Sequence, residues 1–166
     1  MTFEEYQKQA VSFRTESVNN EEYLALGLIA EVGEAAGKLA KRILDGVFDE
    51  KAFVKELGDI LWFVANFAEF CEDDDIDGAL KDSFAQAGVA DGSMMPATYL
   101  LRELTVFAAA ATNGEADAWN FQRIVNWIAG IAAKYGYTLE EVAEINIAKL
   151  RDRQARGAIK GDGDER

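Results

Sequence analysis

Leu24-Ala25-Leu26-Gly27-Leu28-Ile29-Ala30-Glu31-Val32-Gly33-Glu34 is the stretch on which the fold turns. An apolar run leads into two carboxylates at i and i+3. The pattern returns further along, where Glu56-Leu57-Gly58-Asp59 runs straight into Ile60-Leu61-Trp62-Phe63-Val64. In a helix, each pair lies on one face about a turn apart. Both pairs interrupt segments whose composition demands burial. An unpaired buried carboxylate is costly, and a divalent cation is one good partner for several of them. The two motifs therefore read as a magnesium site built by two neighbouring helices.

Outward from these motifs the chain reads as all-α. It has one proline, Pro96, and its apolar residues recur at three- and four-residue spacing. Phe3, Tyr6, Ala10 and Phe13 form one stripe of a short helix over 3–13. Ser17-Val18-Asn19-Asn20 is a break, with Asn20 as N-cap of a helix over 21–44 that stops at Asp45-Gly46. A helix over 50–71 carries the second motif. The run Glu72-Asp73-Asp74-Asp75 reads as a solvated loop or helix end, since clustered like charge repels itself. Asp77-Gly78, Gly88, Asp91-Gly92-Ser93 and Met95-Pro96 read as turns around a short segment at 79–87. Helices over 97–112 and 117–135 follow, separated by Asn113-Gly114. Thr138 with Glu141 predicts a capping box opening a last helix over 139–156. The glycine-rich tail from Gly157 to Arg166 reads as mobile.

Composition narrows the function classes. At 166 residues, 49% of them apolar, the chain is expected to form one domain with a substantial core, not a disordered polyanion. A net charge of −13 argues against binding nucleic-acid phosphates or anionic membranes, both of which need a basic face. A small anionic substrate stays open where metal neutralises the contact. Cys71 is the single cysteine, so no intrachain disulfide forms. Met1-Thr2-Phe3-Glu4-Glu5-Tyr6 lacks the basic region and apolar run of a signal peptide, which leads to an expectation of a cytoplasmic protein.

Four oxygen donors suit a hard cation, Mg²⁺ or Mn²⁺, able to polarise a phosphoryl group and acidify a bound water. The plainer reading places all four acids on solvated helix faces, where most acids lie. The pairing weighs against it, as do the scarcity of basic residues at i+4 and the glycines inside each motif. Gly33 and Gly58 cost helix propensity, and close helix approach is one reason to keep them. A di-iron carboxylate bundle also draws glutamates from facing helices, but it adds Glu-x-x-His motifs and this chain has no histidine. The same lack removes Cys-His and Ser-His nucleophilic catalysis. A non-catalytic acidic interaction module is the remaining alternative of another class.

The motifs resemble those of the MazG-like all-α nucleoside triphosphate pyrophosphohydrolases. The likeness extends to Tyr6-Gln7-Lys8-Gln9-Ala10 with Arg14-Thr15, and to Tyr23-Leu24-Ala25-Leu26-Gly27-Leu28. It resumes at Leu139-Glu140-Glu141-Val142-Ala143-Glu144-Ile145-Asn146 and runs through Lys149, Leu150, Arg153 and Gly157 to Lys160-Gly161. The resemblance implies a MazG-like helical bundle of about five to seven helices, completed by oligomerisation into a homodimer or homotetramer. It implies hydrolysis of a (d)NTP to (d)NMP and pyrophosphate, with Mg²⁺ held by Glu31, Glu34, Glu56 and Asp59. It further implies nucleotide or phosphate contacts from Asn146, Lys149 and Arg153. Arg14 is a second candidate phosphate contact, suited to forked pairing with oxygens; Lys160 and Arg166 are candidates to fold over bound phosphate, with a mobile tail as the simpler reading. Trp62 is read as stacking on a base or as core, whereas Trp119 and Trp127 are assigned to packing.

Three departures qualify the likeness. Ala30 stands where many relatives carry a further glutamate, so water activation must fall to a motif residue or to a metal-bound hydroxide. Segment 72–135 is absent from shorter relatives. It reads as an insertion or a degenerate repeat, since Ile124-Val125-Asn126-Trp127-Ile128-Ala129 can be laid over Asp59-Ile60-Leu61-Trp62-Phe63-Val64, with Ile124 for Asp59 and Phe121 for Glu56. Phage relatives of similar layout cleave dGTP. That makes dGTP or GTP the candidate substrate, with dUTP, dCTP or a broad housecleaning range as alternatives.

Overall fold

Residues 1–87, 95–114 and 116–158 of the computed structural model are described. They form seven α-helices: α1 (Phe3–Ser12), α2 (Glu21–Asp45), α3 (Glu50–Cys71), α4 (Asp74–Gln86), α5 (Ala97–Thr112), α6 (Ala118–Ala133) and α7 (Leu139–Ala155), with a 3₁₀ turn at Glu16–Val18. No strand occurs among the described residues, as the helical periodicity predicts.

Local chemistry sets most helix ends. The Asn20 side chain accepts from Tyr23 N–H, and Gly46 closes α2 at φ 73°, a left-handed value that glycine adopts without a side-chain penalty. Thr138 and Glu141 form the predicted capping box of α7. Thr2 and Glu5 form another at α1.

The acidic run after α3 is solvated and falls at two helix ends, as expected. Glu72 takes φ 51°, and the Asp73 carboxylate then accepts from Asp75 and Ile76 N–H to open α4. Asp74, Asp75 and Asp77 occupy the first turn, where the helix dipole favours anions. The expected turn at Asp77-Gly78 and short segment at 79–87 give way to a continuous helix. Ile76, Leu80, Ser83 and Phe84 explain it, as a buried stripe at i, i+4, i+7 and i+8. The expected turns at Gly88 and Asp91-Gly92-Ser93, and the tail from Ile159 onward including Lys160, lie outside the described residues.

α3 is the central element. It is apolar on nearly every side, from Phe53 and Val54 to Phe67 and Ala68, and packs against α1, α2, α4, α6 and α7. Such all-round burial is what a helix hydrophobic all round requires. α2 lies beside α3 and α5, and α6 lies beside the same two, so these four helices close a ring within one chain. α7 and α1 cover α3, which brings the C-terminal helix over the second acidic motif. Trp127 joins the core as expected, but Trp119 does not. It is 53% exposed on α6, with the Phe107 ring edge-on to it and the Arg123 guanidinium over its face.

Candidate metal centre

The pairing of α2 with α3 brings Glu31, Glu56 and Asp59 together. Each offers a carboxylate oxygen, and the three oxygens lie within 4.8 Å of one another. Ligand oxygens around Mg²⁺ at about 2.1 Å stand about 3 to 4.2 Å apart, so small side-chain adjustments close the set. Glu34 lies one turn beyond Glu31 and is exposed. It is outside this trio, yet close enough for its charge to act on Glu31.

The electrostatics are those of a carboxylate cluster only partly offset by lysines. Burial pushes the Glu31 carboxyl up to about 8, reinforced by the negative charges of Asp59, Glu34 and Glu56 and opposed by Lys149. Burial also raises Asp59, although Lys149 works against it through charge and a hydrogen bond. Lys149 Nζ pairs with Asp59 Oδ2, and Lys38 Nζ pairs with Glu56 Oε1 at 3.0 Å. Two of the three acids thus have a lysine, while the third holds its proton into the neutral range. Oxygen-only donors, clustered at this spacing and under this repulsion, fit a hard divalent cation.

Gly58 explains how α7 reaches the site. A Cβ there would stand 2.9 Å from the Asn146 Cβ and 3.4 Å from the Val142 carbonyl oxygen. The glycine inside the second motif is therefore needed for close helix approach. Gly33 differs, since a Cβ there would meet nothing within 4 Å. Over Gly58, Asn146 is buried and bridges two partners. Its amide nitrogen donates to Asp59 Oδ1 at 3.1 Å, and its amide oxygen accepts from Tyr6 O–H at 3.0 Å.

The remaining expected site residues divide in two. Asn146 and Lys149 reach Asp59 directly, and Arg153, one turn further along α7, acts on it through charge. Arg14 is held elsewhere, donating to the Asn66 carbonyl at 3.3 Å and paired with Glu69 at 2.6 Å, about ten residues along α3 from Asp59. Trp62 is wedged between α3 and α1, with its indole N–H donating to the Ala10 carbonyl and its ring edge-on to Phe63. Two residues escaped the sequence reading. Lys38 shares a helical face with Glu31 and Glu34 at i+7 and i+4, so its signal was present. Tyr6 read as part of an apolar stripe and of the motif likeness, with no role at the site, and its bond spans 140 residues of sequence.

An all-helical domain with an acidic cluster roofed by basic residues has the parts for chemistry on a metal-bound anion. Residues 19–87 match the family model described as the MazG nucleotide pyrophosphohydrolase domain. The matched stretch indicates a nucleotide pyrophosphohydrolase, an enzyme acting on phosphoric anhydrides. The match takes in α2, α3 and α4 and both acidic motifs, while α7 lies beyond it. No curated protein and no solved structure matches the chain. Among the described residues, no helix is long and apolar enough to cross a membrane.

Proposed function

We propose that the chain hydrolyses a (d)NTP to (d)NMP and pyrophosphate at a Mg²⁺ centre held by Glu31, Glu34, Glu56 and Asp59, with Mn²⁺ as a substitute. The observation that carries this reading is the convergence of three carboxylate oxygens beneath Lys149. When bound, Mg²⁺ supplies charge neutralisation for the triphosphate and acidification of a water. Glu31, Glu56 and Asp59 would hold the ion, with exposed Glu34 as a fourth donor. Lys38 and Lys149, which pair with Glu56 and Asp59, would supply positive charge to phosphate oxygens, with Arg153 behind Lys149. Water attacks the α-phosphorus in line, and its proton passes to a motif carboxylate and on to solvent. A new P–O bond forms as the bond to the α,β-bridging oxygen breaks, and pyrophosphate leaves.

We assign Asn146 the role of holding Asp59, because both ends of its buried amide are engaged within the protein. dGTP is the first candidate substrate on the resemblance in layout, with dUTP and dCTP next. We read 72–135 as a degenerate repeat. Leu24, Leu28, Val32 and Ala35 of α2 and Leu100, Leu104, Ala108 and Ala111 of α5 are buried at the same spacing. In that register Phe107, Ala110, Phe121 and Ile124 stand where the four acids would be, so one centre per chain results. We also propose assembly as a homo-oligomer.

Incubation with a panel of (d)NTPs and Mg²⁺, with product analysis, tests the activity. Monophosphate with pyrophosphate is expected, and Asp59→Asn should lower kcat by at least about 100-fold, the scale of losing a principal electrostatic group. Release of orthophosphate alone, or full turnover by Asp59→Asn, would overturn the proposal.

A further inference from the structure

Where α2 finishes, it lies beside the start of α5 and the stretch that follows α6. A cavity of about 290 Å³ lies between them, lined by Leu39, Arg42 and Ile43 of α2, by residues 96–98 and by Tyr135. None of these belongs to the carboxylate cluster. Arg42 is eleven residues past Glu31, about 16 Å along the helix at 1.5 Å per residue. The volume is near the lower end for small-molecule sites, and mostly apolar walls with a few polar groups are what such sites have.

Arg42 is the charged member of the lining. Its Nη1 donates to the Tyr135 oxygen at 3.3 Å, and its guanidinium carbon lies 4.7 Å from the centre of the Phe48 ring. Both partners are neutral. Among the described residues Arg42 makes no ion pair, in a chain with 30 acidic and 17 basic residues. Lys38, one turn earlier, is committed to Glu56. Tyr135 is fixed in turn by Phe53, edge-on at 5.2 Å, and by Phe48 at 5.3 Å. Burial raises the Tyr135 pKa, opposed by Arg42 and reinforced by the charge of Glu50, so the phenol keeps its proton. Its oxygen accepts from Arg42, and that proton can donate.

A cation in the last turn of α2 also complements the helix dipole. That role needs charge alone, and a lysine would serve it. It does not need a planar fork laid against one aromatic ring and bonded to a second aromatic residue beside a cavity. Arg42, Thr98 and Tyr135 are all able to donate, and they come from three separate parts of the chain. Leu39, Ile43 and Pro96 supply apolar surface around them. The occupant so described is an anion with several oxygens and a small apolar body. Three donors suit the three terminal oxygens of a phosphate monoester better than the two of a carboxylate.

We infer that the cavity at Arg42, Thr98 and Tyr135 is a binding site for a small organic phosphate monoester, separate from the acidic centre. The class includes the (d)NMP that the proposed reaction would release, but the inference does not rest on that reaction. Titration of the isotope-labelled full chain with phenyl phosphate in a chelator tests it, because metal-free carboxylates repel anions at the acidic centre. Amide resonances of residues 39–43, 97, 98 and 135 are expected to shift, and inorganic phosphate and benzoate should bind more weakly. Arg42→Lys keeps the charge at the helix end and loses the fork. Its melting should match wild type while affinity for phenyl phosphate falls at least about 10-fold, the scale of a lost charge-assisted hydrogen bond. Tyr135→Phe keeps the ring packing and should weaken binding by a smaller factor. No shift at millimolar phenyl phosphate, or undiminished affinity in Arg42→Lys, would overturn the site. So would shifts confined to the surroundings of Glu31, Asp59 and Lys149. Inorganic phosphate or benzoate binding as tightly as phenyl phosphate would overturn the ligand class.

Discussion

Asp59 is held by two neighbours of different kinds, and the difference predicts what each substitution does. Lys149 is a counter-charge at the rim, 21% exposed and able to move, whereas Asn146 is buried and anchored in turn by Tyr6. Tyr6→Phe removes one O–H and leaves the Asn146 amide oxygen without that donor, at a cost to stability of about 1–3 kcal/mol. Its larger effect should fall on the cation. Loss of a partner that orients a metal ligand weakens affinity by about 10- to 100-fold. Calorimetric titration of Mg²⁺ into Tyr6→Phe and wild type measures the ratio, and equal affinities would remove Tyr6 from the support of the site. The four motif acids were legible from spacing. That Glu31, Glu56 and Asp59 form a tighter group than all four together was not, because it depends on how α2 and α3 rotate against each other. Tyr6 was illegible for a related reason: no local pattern distinguishes a core tyrosine from one whose hydroxyl reaches a residue on α7.

At the scale of the element, the two motif glycines look alike in sequence and separate in the fold. Gly58 lies under α7, while Gly33 faces open space. Gly58→Ala gains about 1 kcal/mol of helix propensity but thrusts a methyl group against Asn146 and the Val142 carbonyl. The expected outcome is a displaced α7, weaker cation binding and lower turnover, with thermal stability no better than wild type. Gly33→Ala gains the same propensity without a clash, so its thermal unfolding should move upward by the few degrees that about 1 kcal/mol represents in a domain of this size. Parallel melting curves with Mg²⁺ titrations check both, and similar behaviour of the two variants would contradict the assignment. Helix ends were readable where the cap is local, as at Asn20 and Thr138. The acidic run at 72–75 is solvated and falls at helix ends as expected; the turn expected at Asp77-Gly78 is what fails, because the dipole of the helix that these acids open is left out of that expectation. The buried stripe of α4 was the stronger signal there.

For the whole molecule, the acidic cluster couples stability to pH and, through the proposed cation site, to metal. Glu31 titrates at about 8 in the folded metal-free protein against about 4.5 when free, and Asp59 is also raised. Between those values the folded state binds more protons than the unfolded chain. Stability is therefore full below about 4.5 and is lost as pH rises through about 8. For one such group the slope is at most about 1.4 kcal/mol per pH unit, and less here because Glu31 keeps part of its surface in water. The chain has no histidine, so the side chains that ordinarily titrate between pH 6 and 8 are absent and do not mask the effect. Denaturant unfolding in a chelator should give a less stable protein at about pH 8 than at about pH 6. Glu31→Gln, which has no proton to lose, should flatten most of that difference. At the proposed centre, added Mg²⁺ should act in the opposite sense, because a cation held there would favour the deprotonated carboxylates of the folded arrangement. Its stabilisation should grow as pH rises over the same interval, with protons released on binding below about 8. Stability that climbs with pH in the chelator, or a Mg²⁺ effect independent of pH, would show that these carboxylates are not the coupled set.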